Sequence, residues 1–94
     1  MIGITDRALK ELKRILSYSV DYSYGRLRLI DRGKGHLGLG IDIELPGDEV
    51  VEYEGSGLLV VEQRLAASLD GITIDVDDNN GSAQLVIVAE SKSQ

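Results

Sequence analysis

The sequence predicts a small, β-rich α+β domain with mainly antiparallel strands. Three observations lead there. Leu37, Leu39, Ile41, Ile43 and Leu45 alternate with Gly38, Gly40, Asp42 and Glu44, the period of two of a half-buried strand. Most of the other apolar runs are joined by tight turns rich in Gly, Pro and Asn, which favours antiparallel neighbours. Only one substantial stretch, at the N-terminus, repeats at helical spacing.

That stretch follows a short extended piece. Ile4-Thr5-Asp6 is a helix start: Thr5 caps, Asp6 suits the positive helix end, and Ile4 can staple onto Leu9. Ala8, Leu9, Leu12, Ile15 and Leu16 form the apolar stripe. Arg7, Lys10, Glu11, Lys13 and Arg14 lie on the other side, a largely basic face that reads as solvated surface. Residues 17–25 read as a polar connection whose Tyr18, Tyr22 and Tyr24 cover the core edge with their hydroxyls wet.

Arg26–Ile30 is the next strand, with Leu27 and Leu29 facing one way. A glycine-rich loop, Asp31–His36, leads to the long alternating strand Leu37–Leu45, on which Ile41 reads as core and Asp42 as surface. Pro46-Gly47-Asp48 ends it. Glu49–Tyr53 is a short strand, and Leu58-Leu59-Val60-Val61 is apolar enough to be buried on both faces. A short helix is expected near 62–68, closed by Leu69-Asp70-Gly71. Ile72, Ile74 and Val76 alternate on one strand, Ala83–Ala89 forms another, and Asp78-Asn79-Asn80-Gly81 between them signals a hairpin. Residues 1–94 read as one domain, without repeat or linker.

Composition narrows the function. A chain of 94 residues without Phe or Trp must build an aliphatic core. Its net charge of −6 argues against a nucleic-acid partner. No apolar run reaches the roughly 20 residues of a membrane span. No signal-peptide pattern opens the sequence, and the expected compartment is the cytoplasm. There is no cysteine, which removes disulfides, thiolate metal sites and cysteine nucleophiles.

The motifs are few. Gly33-Lys34-Gly35-His36-Leu37-Gly38 matches G-x-G-x-x-G, but a strand follows it where a dinucleotide site needs a helix. Lys34 and the loop amides remain able to hold an anion. Asp75-x-Asp77-x-Asn79 begins like a calcium loop, yet Gly81 comes one place late and Val86 stands where a bidentate Glu is needed. Asp42, Glu44, Asp48, Glu49, Glu52 and Glu54 read as the solvated face of a sheet, although Asp42 and Glu44 share a face on which a hard cation could sit. His36 is the only histidine. No nucleophile and base are placed together, so the chain is not expected to be an enzyme.

The order of elements resembles the A-type iron–sulfur carrier family, the HesB/IscA-like domain, over about residues 2–89. The resemblance is carried by the capped helix ITDRALKELKRIL, the strand and glycine loop, the long alternating strand, Asp48-Glu49-Val50-Val51-Glu52, the apolar Leu58–Val61, and Leu69-Asp70-Gly71 before Ile72-Thr73-Ile74-Asp75. The family implies a compact β-rich domain, often dimeric. It binds iron or a cluster through three cysteines, one in the loop at or beside Lys34 and two in a Cys-Gly-Cys tail after the last strand. Here the loop holds Lys34 and His36, and Glu90–Gln94 has no such tail. A lysine ammonium has no lone pair for iron.

The expectation is therefore a HesB/IscA-like domain without cluster ligation: no resident cofactor, no metal site and no catalytic residue. It acts as a binding or assembly module that self-associates or engages a protein partner. The expected ligand-binding residues are Gly33, Lys34, Gly35 and His36. The alternative is a labile metal- or anion-binding protein using Lys34, His36 and nearby carboxylates.

Overall fold

The computed structural model describes residues 2–19, 24–34, 36–77 and 84–90. Its elements run β1 (Gly3–Ile4), α1 (Asp6–Ser19), β2 (Arg26–Gly33), β3 (His36–Asp42), β4 (Glu49–Tyr53), β5 (Ser56–Val61), α2 (Gln63–Ser68), β6 (Ile72–Asp77) and β7 (Gln84–Glu90). They form a four-stranded sheet, in order β3-β2-β5-β4, and a three-stranded sheet, in order β1-β6-β7. Helix α1 packs against β2, β5 and β6, so it spans both sheets. The β2–β3, β4–β5 and β6–β7 pairings are antiparallel, while β2–β5 and β1–β6 are parallel. The expected α+β class and its antiparallel bias hold.

The N-terminus is fastened by a cap that also ties the helix to the small sheet. Thr5 Oγ1 accepts the Ala8 N–H at 3.1 Å, the capping bond expected of this residue type. The same hydroxyl donates to Asp75 Oδ1 on β6 at 2.6 Å. Arg7 Nη2 donates to Asp75 Oδ2 at 2.8 Å. Arg7, Thr5 and the Val76 N–H together hold the Asp75 carboxyl well below the usual carboxylate range. Helix α1 runs on to Ser19 and takes up the first three residues of the expected connection at 17–25. Tyr18 therefore lies on the helix surface, 81% exposed, with the Arg14 guanidinium 5.9 Å from its ring centroid. Tyr24 is 65% exposed. Neither covers the core edge. Tyr53, on β4, packs against the core instead; Tyr22 lies outside the described residues.

Leu12, Leu27, Leu29, Leu58, Leu59, Val61 and Ile74 form the centre of the core. Strand β5 sits inside its sheet, and Leu58, Leu59, Val60 and Val61 are all buried, as their continuous apolar run implies. Residues directly opposite across a sheet share a face. Ile41, Leu27, Leu59 and Val51 make one row on the core side; Gly40, Arg28, Val60 and Val50 make the adjacent row on the outer side.

The long strand departs from expectation at its far half. Leu37 and Leu39 pack against the core, but Ile41, Ile43 and Leu45 are 45%, 43% and 45% exposed. Ile41 faces the expected side, yet β3 is the edge of its sheet, and Ile41 stands at the exposed end of its row. The strand also ends at Asp42, before Leu45. The Asp42 carboxylate takes the Ile43 N–H at 2.8 Å, a bond a continuing ladder would otherwise use. The short helix matches expectation: Glu62 caps α2 by accepting the Leu65 N–H at 3.3 Å, and Gly71, at φ 83°, turns the chain into β6. Strands β6 and β7 pair as the expected hairpin; its Asn-Gly turn lies outside the described residues.

Leu29→Ala should lower the unfolding free energy by about 2–5 kcal/mol, as for a filled core site. Ile41→Ala should cost about 1 kcal/mol or less. Urea denaturation of both variants checks this, and equal losses would contradict the edge position of Ile41.

Candidate functional site

The β2–β3 hairpin places the glycine-loop residues at its tip. The expected six-residue loop is largely strand: β2 continues to Gly33, with a bulge between Asp31 and Gly33, and Gly33 pairs with His36. Asp31 Oδ1 accepts the Gly33 N–H at 2.8 Å. Gly33 takes φ 87° and Lys34 φ 56°. That left-handed backbone is costly for a lysine, and it keeps the ammonium on the exposed turn. His36 is exposed at the first position of β3. Gly33, Lys34 and His36 are thus brought together; Gly35 lies outside the described residues.

Two features of the site come from tertiary pairing. The first is Arg32. A Cβ on Gly38 would sit 2.2 Å from Arg32 Nε and 3.0 Å from its Cζ. The guanidinium therefore lies over the backbone of β3, in space that only glycine leaves open. Gly40 makes similar room for Ile30. The sequence carries a signal for this, glycines at alternate positions opposite long side chains, but it becomes readable only once the register is known. Arg32 stands beside His36, Leu37, Gly38 and Leu39 along a surface groove whose other wall is Gln84 and Leu85 of β7.

The second is Arg28, on the outer face of the sheet. Its Nε donates to Asp42 Oδ2 at 2.6 Å, and its Nη2 donates to Asp48 Oδ2 at 2.6 Å and to the Ile43 carbonyl at 3.2 Å. Asp48 Oδ2 also accepts the Leu45 N–H at 2.8 Å. Only 15% of the Arg28 side chain and 4% of the Asp48 side chain reach solvent. Arg28, with the Leu45 N–H, holds Asp48 below the usual carboxylate range. For Asp42 the Ile43 N–H is the larger cause and Arg28 the second. Asp48 is the main reason the Arg28 pKa is raised. Asp42 is thus part of an ion cluster that closes the bend at 43–48, and not a plain surface residue. It is committed to an arginine, so the cation site imagined with Glu44 does not form. Among the described residues no group of three or more His, Asp or Glu is placed to hold a metal ion.

Three solved structures share this architecture. A protein from Aquifex aeolicus, solved by solution NMR, superposes with a TM-score of 0.71 at 22% identity, covering 94% of this chain and 90% of its own. Escherichia coli SufA, involved in biosynthesis of iron–sulfur clusters, gives a TM-score of 0.61 at 18% identity over 99% of this chain and 82% of its own. IscA with a [2Fe-2S] cluster gives 0.63 at 18% identity over 100% and 89%. The chain has the HesB/IscA-like fold. No family model matches the sequence, and no curated protein matches it. On this HesB/IscA-like scaffold the glycine-loop hairpin carries an ammonium, a guanidinium and one imidazole. That donor set does not fit an iron–sulfur cluster, whose irons take thiolates.

Arg28→Met should cost about 1–3 kcal/mol at neutral pH, the range for a charged hydrogen-bond partner. Because Asp42 and Asp48 have depressed folded pKa values, that contribution is complete above about pH 4 and is lost as pH falls through those values. Thermal melts from pH 7 to pH 2 should show the gap between wild type and variant closing on the acid side. A gap that is constant across the range would contradict the ion cluster.

Proposed function

We propose that this chain is a non-catalytic binding or assembly module built on the iron–sulfur carrier scaffold, and that it works without holding a cluster. One observation carries this reading. The fold is that of SufA and IscA, while the sequence contains no cysteine. The hairpin expected to carry a ligand offers Lys34 and His36 instead. Neither a lysine ammonium nor a single imidazole replaces a set of thiolates. What the tip does offer is cationic and donor chemistry: Lys34, His36 and the adjacent Arg32, none of them in an ion pair with a carboxylate among the described residues. It belongs with partner recognition, including recognition of a second copy of the chain.

A second reading follows from the same three side chains: the tip holds a small anion. Lys34 supplies a point charge and Arg32 a planar fork suited to carboxylate or phosphate. A labile metal is less favoured, because the carboxylate on the same hairpin, Asp31, is turned to the Gly33 N–H.

Anaerobic reconstitution with ferrous iron and sulfide tests the principal reading. After desalting, the protein should show no visible chromophore, and a chromophore retained in stoichiometric amount would contradict it. Calorimetric titration with inorganic phosphate tests the second. Heat that is lost in Lys34→Ala and His36→Ala would support a small-anion site at the tip; heat unchanged by both substitutions would remove it.

A further inference from the structure

The charge of this chain is segregated along its length. Residues 7–36 hold eight Lys and Arg against three Asp and Glu, and residues 42–70 hold eight Asp and Glu against one Arg. Part of that charge is neutralised within the molecule, in the Arg7–Asp75 and Arg14–Glu11 pairs and in the Arg28 cluster. The larger sheet sends two of the remaining charges to opposite corners. Strands β3 and β4 are the two ends of its strand order. Strands β2 and β5 are parallel, so the turn that leaves β2 and the turn that enters β5 lie at opposite ends of the strands. Lys34 stands on the first turn, beyond the Gly33–His36 pair, and Glu54 on the second, beyond the Tyr53–Ser56 pair. Both residues are exposed, and neither takes part in an ion pair among the described residues.

The backbone singles out the same two residues. Among the described residues, Lys34 at φ 56° and Glu54 at φ 55° are the only ones other than glycine in the left-handed region. A tight hairpin turn takes Asn, Asp or Gly there at lower cost. Strain of this kind collects at functional sites, and here the two strained residues are long side chains of opposite charge. We propose that the Lys34 turn of one copy docks on the Glu54 turn of a second copy, so that the chain associates head to tail. Asp31 is turned to the Gly33 N–H, and Arg26 lies over Gly57 beside the second turn, so the two apical charges carry the contact. Two Lys34 turns repel each other, as do two Glu54 turns, which fixes the pairing. Exposed ion pairs are weak and screened by salt, so the association depends on concentration and on ionic strength.

The proposal rests on the binding-module reading and fails separately from it. A retained cluster defeats that reading in any association state, and a failure to associate defeats only this contact. The experiment is sedimentation velocity of the full chain at neutral pH over a range of concentrations. At low salt the average mass should rise with concentration. In about 1 M salt, where the Debye length is roughly 3 Å, that rise should be lost. Lys34→Glu and Glu54→Lys should each abolish it as well, while Lys34→Arg should retain it. An equimolar mixture of the Lys34→Glu and Glu54→Lys proteins should restore it, because each reversed turn then meets its complement. Lys34→Gly and Glu54→Gly relieve the backbone, so both should melt at or above the wild-type temperature and yet fail to associate. A purely structural role for the two turns would not separate those readouts. The proposal is overturned by a rise in mass that salt does not affect, by association unchanged in Lys34→Glu, or by a mixture that stays as dispersed as its components. A protein that stays monomeric at every concentration and salt also overturns it and leaves the turns to another partner.

Discussion

The ion cluster around Arg28 determines how the hairpin is presented. A guanidinium largely withdrawn from water needs its charge and its donors satisfied. Asp42, Asp48 and the Ile43 carbonyl satisfy them. These groups come from the end of β3 and from the bend after it, so one side chain of β2 fastens the whole route from strand to turn. Strand β3 stops at Asp42 because its carboxylate is bound to the next peptide group, and because Arg28 draws the Ile43 carbonyl toward the outer face. The chain then turns to β4 on the far side of the sheet, and β3 is left as an edge. The exposure of Ile41 and the groove against β7 follow from that placement.

Much of the fold was legible because it is local. The Thr5 cap depends on residues three apart, the burial of β5 on four consecutive apolar residues, and α2 on a short helix-favouring run closed by Leu69-Asp70-Gly71. The reading lost accuracy where long-range pairing decides. Ile41 has the periodicity of a core residue, and its face is right. Periodicity says nothing about whether a strand lies at an edge, and the edge sets its exposure. Arg28 reaches partners 14 and 20 residues away, beyond any spacing rule. Helix α1 outran its expected end because Ile15 and Leu16 pack on the core, and the polar residues after them continue the turn at little cost. The candidate tip was partly legible. Two loop glycines pointed to Lys34 and His36, but Arg32 gained its place only through the glycine opposite it.

Fold and side-chain chemistry diverge here in a specific way. The scaffold resembles those of SufA, involved in biosynthesis of iron–sulfur clusters, and of IscA with its [2Fe-2S] cluster. The side chains at the hairpin offer positive charge and hydrogen-bond donors in place of sulfur. Soft metal ions select thiolate, whereas ammonium and guanidinium groups pair with carboxylate and phosphate. On the proposed reading, this change of donors is a conversion of the hairpin from cluster chemistry to partner recognition.

Native mass spectrometry of the protein, purified without oxygen from cells supplied with iron, addresses this conversion most directly. The mass of the polypeptide alone, or of whole multiples of it, is the expected result. A species heavier by the iron and sulfide of a cluster, persisting through buffer exchange, would contradict it.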